Sequence, residues 1–425
     1  MRADRALRFC GREGRGREDF KTFSVTLPLI IYRSLRQHAL STVVTAAGIA
    51  LACGLLMCVW MVKTQSQAAF TQTTAGFDAV LGARGSKLQL VLNAIFHLEA
   101  SPGNVAAADY EMIRKHPMIK TAIPIAVGDN LRGYRLVGTA PELFTNVEYS
   151  PGKKFAVQAG GNVFTADAKE AVAGSFAAQR LKLKVGDTFR PFHGLAYDPK
   201  AEHADEFKVV GVLEPTNTPV DRVIWLPLRG LQTMSGHDPK AATDVSAVLL
   251  QLRTPMAGLQ MDMMYNKQGN RLTFAYPVGA IVAELFGKIA WFDQVLALVA
   301  YLVALVAAGS VLASIYNSMS ARRRDLAILR ALGAKRRTIF GAVLAEAACI
   351  GAIGAALGFA VYFGLFAGVA SLIRSQTGVV LDLGAGHPVL WLCPVGMIAL
   401  CALGGLVPAW KAYRTPVAET LAPVS

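Results

Sequence analysis

A single carboxylate stands inside an otherwise apolar run of this 425-residue chain: Glu346, in the stretch IFGAVLAEAACIG. It lies about 12 Å inside that run at 1.5 Å of helical rise per residue. An ionised acid at such depth is costly, which makes it a functional candidate. One acid with no partner acid or histidine makes a poor proton relay. The competing reading pairs Glu346 with a basic residue or a backbone group near the surface. A second group is the stretch FHGLAYDPKAEHADEF at 192–207, which carries His193, Asp198, Glu202, His203, Asp205 and Glu206. Imidazoles and carboxylates together can hold a divalent metal. Their spacing fits no strong metal-site pattern, so a solvated, charged loop and no metal site are expected.

Other chemistry is excluded by what the sequence lacks. The nearest string to a phosphate loop, GARGSK at 82–87, does not have GxxxxGK[ST] spacing. There is no GxSxG, no HExxH and no cysteine nucleophile outside the apolar stretches. The chain is therefore expected to be neither an ATPase nor any other enzyme, and to bind no cofactor.

The third group is a basic segment, 318–338, with Arg322, Arg323, Arg324, Arg330, Lys335, Arg336 and Arg337. Leu326, Leu329 and Leu332 recur at i, i+3, i+6, with Ile328 four residues before Leu332. Arg323 and Arg330, seven apart, share another face. Gly333 is a helix stop. Part of the role of this segment is topology. An apolar stripe with a charged back also fits a groove on a partner protein.

The elements that must position these groups follow from hydropathy. The chain is 53% hydrophobic with mean hydropathy +0.39, too apolar for an ordinary soluble protein. Four stretches pass the length test for a spanning helix: 40–62, 291–317, 339–373 and 389–410. The fold expected is an α-helical membrane protein of four spans, with a large mixed α/β domain, 63–290, inserted between the first and second. Flanking these are a basic tail at 1–24, read as disordered or as a misassigned start, and an amphipathic segment at 25–39. A short outer loop at 374–388 and a tail at 411–425 complete the order.

The net charge is +14, from 43 basic and 29 acidic residues. Its basic residues cluster beside the spans, so it points to membrane lipid and orientation and not to nucleic acid. Arg33 and Arg36 precede the first span, seven Lys/Arg lie between the second and third, and Lys411 and Arg414 follow the fourth. With four crossings these places share one side, so both termini are expected in the cytoplasm and the inserted domain outside it. Five of six cysteines fall in spans and none in the inserted domain, which therefore needs its own apolar core. Within that domain, β-rich runs recur at 121–127, 135–137, 208–213, 223–226 and 245–252, with helical patterns at 105–116 and 175–183. The third span carries Gly351, Gly354 and Gly358 among alanines, a face suited to close helix packing.

The strings RRRDLAILRALGA at 322–334 with Glu346 and Ala347, VPAWKA at 407–412, PVAETL at 416–421, AGSFAAQRLKLKVGD at 173–187 and FKVVGVL at 207–213 resemble the MacB/FtsX-type ABC transporter permeases. This is the mechanotransmission class, which includes lipoprotein-releasing and macrolide-export permeases. The resemblance implies a permease of the bacterial inner membrane, paired with a second permease copy, and a separate cytoplasmic ABC ATPase that carries the ATP and Mg. It also implies that the ATPase docks on Arg322, Arg323, Arg324, Asp325, Leu326, Ile328, Leu329, Arg330 and Leu332. A periplasmic adaptor or substrate-binding protein is the further kind of partner that such a permease leaves room to expect. The function expected is to couple ATP hydrolysis on the partner to movements of the inserted domain, for export or extraction of a substrate. The alternative is a transmembrane scaffold that activates an extracytoplasmic hydrolase.

Overall fold

The structure is a computed structural model that describes residues 27–37, 39–72, 74–194, 196–236, 243–321, 328, 331 and 334–414. Among these, four helices are long and apolar enough to cross a membrane. They are Ala39–Gln72, Val278–Ala321, Arg336–Thr377 and Val389–Arg414, and are called the first to fourth long helices below. A shorter helix, Leu27–Gln37, precedes the first. The second long helix has 44 residues and is about 66 Å long at 1.5 Å per residue, roughly twice the hydrocarbon thickness of a bilayer. The fourth runs on through Pro394 and Pro408, which is tolerated where neighbouring helices satisfy the freed carbonyls.

Between the first and second long helices the chain builds strands β1 (Ala79–Ala83), β2 (Ile119–Leu131), β3 (Tyr134–Thr139), β4 (Glu148–Ser150), β5 (Lys153–Lys154), β6 (Glu170–Ala173), β7 (Thr188–Phe189), β8 (Phe192–His193), β9 (Phe207–Val212), β10 (Ile224–Pro227), β11 (Ala247–Leu252) and β12 (Leu272–Ala275). Nine form one sheet in the order β12-β1-β11-β2-β3-β10-β6-β9-β7, β8 adds to β2, and β4 pairs with β5 apart from them. The pairs β3–β10 and β6–β9 are parallel and the rest antiparallel. The run AVLLQL of β11 is buried at every position because the strand lies inside the sheet, between β1 and β2, with both faces covered. β9 is an inner strand too, yet FKVVGV exposes Lys208 between the buried Phe207 and Val209.

Apolar packing joins this domain to the membrane helices. Val278 and Val282, in the first turns of the second long helix, belong to the same buried cluster as Val80, Ala275 and Trp225. Val278 also donates its backbone N–H to the Asp78 carbonyl at 3.1 Å, tying the helix start to the start of β1. Phe70, near the end of the first long helix, packs between Phe96 and Phe286, with ring centroids at 5.4 and 5.7 Å.

Candidate functional site

The four long helices pack by small residues. A methyl group built on Gly354 would stand 2.6 Å from Cβ of Ile49, and one on Gly358 3.0 Å from Cβ of Cys53, both on the first helix. Gly351 comes as close to the fourth helix, where the corresponding distance to Cβ of Cys401 is 2.9 Å. The structure therefore places all three glycines at helix crossings that no larger residue permits without displacement. Gly54 and Gly405 complete the set, against Val361 and Ala347. In lipid such approaches rest on close van der Waals contact instead of the hydrophobic effect. By contrast, the second helix turns Leu298, Tyr301, Leu302, Leu305 and Val306 outward, a face suited to lipid or to another apolar helix.

Glu346 is half-buried in the third helix and has a polar or electrostatic partner. At the same end of the bundle, Lys411 donates to the Tyr316 hydroxyl at 2.7 Å and lies over its ring. Arg336 lies 5.8 Å from the Tyr413 ring centre, and Arg414 4.8 Å from that of Trp410. Basic residues and aromatics from the second, third and fourth helices thus meet where the basic segment leaves the bundle. Of the expected docking residues, Ile328 is helical and exposed. Arg322, Arg323, Arg324, Asp325, Leu326, Leu329, Arg330 and Leu332 lie outside the described residues.

At the opposite end, the third helix is fastened to the inserted domain. Arg222 Nε donates to the Ser375 carbonyl at 3.2 Å, and Arg374 and Arg180 both lie over the Phe176 ring, at 5.5 and 5.3 Å. Gly378 ends the helix in the left-handed region (φ +76°), and a Cβ there would press on Arg222 and Pro219 at 3.3 and 3.4 Å. Beside this contact lies a cavity of about 580 Å³ lined by Phe176, Arg180, Lys182, Arg374 and Leu381 among others. Deeper in the domain, Trp225 packs edge-on against His97, which is 4% exposed. Burial, reinforced by the positive charges of Arg135 and Arg222, lowers the His97 pKa to about 3.

The stretch at 192–207 departs from the solvated loop expected of it. Asp198, Glu202 and Glu206 are exposed, but His203 is buried and faces Asp129 on β2, as does His193. Sequence reasoning missed Asp129, which lies 74 residues from His203. A signal was present in Gly128, a strand-interior glycine that marks a bulge.

Fold and site together define a membrane-embedded protein whose inserted α/β domain is packed onto, and hydrogen-bonded to, its spanning helices. The family model for the MacB-like periplasmic core domain matches residues 42–258, and that for the FtsX-like permease C-terminal region matches 297–417. The chain belongs to this MacB/FtsX-type family of ABC transporter permeases. It is similar to the extracellular domain of the noncanonic ABC-type transporter YknZ from Gram-positive bacteria, at 17% identity over 46% of this chain and 97% of that one, with a TM-score of 0.29. It is also similar to the periplasmic region of MacB from Actinobacillus actinomycetemcomitans, at 10% identity over 51% of this chain and 93% of that one, with a TM-score of 0.32. Neither likeness speaks to cargo or partners. No curated protein matches the chain.

Proposed function

We propose that this chain is the membrane subunit through which a separate cytoplasmic ABC ATPase moves the inserted domain, to export or extract a substrate. The observation that carries this reading is the second long helix. It begins in the core of the inserted domain at Val278 and Val282 and ends at Ala321, immediately before the first arginine of the basic segment. A push on that segment reaches the domain through unbroken helix. ATP and Mg belong to the ATPase, which docks on the Leu326, Leu329 and Leu332 stripe. A second permease copy completes the pair, both termini are cytoplasmic, and the inserted domain meets its substrate or an adaptor outside the inner membrane.

The test is co-purification with the ATPase from detergent-solubilised membranes. Leu326→Asp with Leu329→Asp is expected to abolish it while membrane insertion persists. Retained binding overturns the docking surface.

A further inference from the structure

A glycine bulge, a short hairpin and a distant turn converge on one oxygen atom. Pairing of β2 with β3 slips between Val127 and Asp129, leaving Gly128 as the extra residue. A bulge of this kind re-aims the side chain that follows it. Here it turns the Asp129 carboxylate, fully buried, toward β8. Asp129 and His193 are direct cross-strand partners, and His193 Nδ1 lies 3.2 Å from Asp129 Oδ1. The chain then folds back so that His193 N–H donates to the Ala201 carbonyl and His203 N–H to that of Pro191. This return brings His203 Nε2 to 3.2 Å from the same Asp129 Oδ1.

The other nitrogen of His203 settles its tautomer. Nδ1 lies 2.7 Å from the Ser235 carbonyl, which can only accept, so Nδ1 carries the proton. In the neutral ring Nε2 then presents a lone pair to a carboxylate oxygen. Two acceptors at that distance repel unless a cation lies between them, either a proton or a metal ion.

The surroundings also fit a metal ligand set. An imidazole that binds metal through one nitrogen generally donates its other N–H to a carbonyl or carboxylate. The Ser235 carbonyl is held in turn by Asp205, which accepts from Ser235 N and Oγ, both at 2.7 Å, and pairs with Lys169. Asn130, buried beside Asp129, donates to the carbonyls of Gly194 and Ala196 at 2.9 and 3.0 Å and fixes the hairpin. Bonds of 2.0–2.1 Å to a tetrahedral ion imply ligand-to-ligand edges of about 3.3 Å. The two distances to Asp129 Oδ1 are 3.2 Å, and all three donor atoms lie within 4.8 Å of one another.

We propose that Asp129, His193 and His203 form a binding site for one divalent transition-metal ion of the zinc type. Two imidazole nitrogens and one carboxylate oxygen suit zinc, and three protein ligands leave a fourth position for water or a ligand atom. His203 and Asp129 form the buried wall, and His193, whose side chain is 61% exposed, is the solvent side by which the ion enters. Binding displaces any proton shared between Asp129 and the imidazoles and fastens the hairpin to the bulge. This site is independent of the ATPase reading above.

The test uses the full-length protein in detergent, without an oligohistidine tag and stripped with a chelator, titrated with Zn²⁺ and separately with Co²⁺. One equivalent of Zn²⁺ per chain is expected at micromolar affinity or tighter, and Co²⁺ is expected to show the visible bands of a four-coordinate site. His193→Ala leaves the buried wall intact and is expected to fold as the parent does in chelator. It should weaken binding at least tenfold, and Asp129→Asn should abolish it. Asp205→Ala, which loosens the Ser235 support and releases Lys169 but removes no ligand, should weaken binding about 10–100-fold. Absence of stoichiometric binding overturns the site, leaving a proton-bridged cluster. So does binding undiminished in both His193→Ala and Asp129→Asn, which would place the ion elsewhere.

Discussion

Gln65 on the first long helix grips the backbone of Asp382 from both sides: its Nε2 donates to the Asp382 carbonyl at 2.8 Å, and its Oε1 accepts from the Asp382 N–H at 2.8 Å. Asp382 lies in the loop that joins the third and fourth helices. That loop also contains Gly378, which packs on Arg222 of the inserted domain. One side chain thus links the first span to the loop that the third helix presses against the domain. Gln65→Ala removes two hydrogen bonds and is expected to cost about 1–3 kcal/mol. Hydrogen exchange at 379–385 should accelerate in this variant, and unchanged exchange would show that the apolar anchors Val379 and Leu381 hold the loop alone.

The crossing of the first and third helices at Gly354 should be intolerant of any side chain. Gly354→Val drives a methyl into Ile49 and toward the Ala46 carbonyl, and is expected to destabilise the bundle by about 1–3 kcal/mol. Gly364, on the same helix with nothing within 4 Å of its Cβ position, is the control, and Gly364→Ala should be neutral. Thermal unfolding in detergent, read by loss of the monodisperse species, separates the two.

His97 predicts a pH dependence of known sign. Its pKa in the folded state is about 3, below the ordinary 6.5, so only the unfolded chain takes up a proton as pH falls past 6.5. Its contribution is constant above that value and stability is lost below it, by about 2 kcal/mol at pH 5. The difference between parent and His97→Gln unfolding free energies should show that slope between pH 7 and 5. A flat difference would mean the imidazole is hydrated in the folded protein.

Orientation is testable at Lys200, an exposed residue of the inserted domain. Lys200→Cys is expected to react with a membrane-impermeant thiol reagent in intact spheroplasts. Reaction only after lysis would invert the proposed topology.

The sequence carried the fold where burial and periodicity carry it. The runs around 121–127, 208–213 and 245–252 form β2, β9 and β11 because each is dense in β-branched and apolar residues that the sheet covers. The strand β12 went unread because its run LTFA holds one β-branched residue, Thr273, whereas the run at 223–226, which overlaps the equally short β10, holds two, with Ile224 beside the aromatic Trp225. The glycines of the third helix stood out because lipid leaves small residues as the means of close approach. Asp129, Gln65 and Arg222 did not stand out. Each acts through a partner 74 to 317 residues away, and a single polar side chain has no periodicity to reveal it. The charged composition of 192–207 suggested full solvation, but return pairing of the hairpin buried His203 within it.

On the proposed coupling, the second long helix acts as a lever. A rod about 66 Å long that rocks by 5° about its centre carries each tip sideways by about 3 Å. That stroke exceeds the tolerance of a hydrogen bond such as the one from Arg222 to Ser375. If the ATPase drives the chain as proposed, a small angular change at Ala321 would shift the domain end of this helix, at Val278, by more than the Arg222–Ser375 bond tolerates.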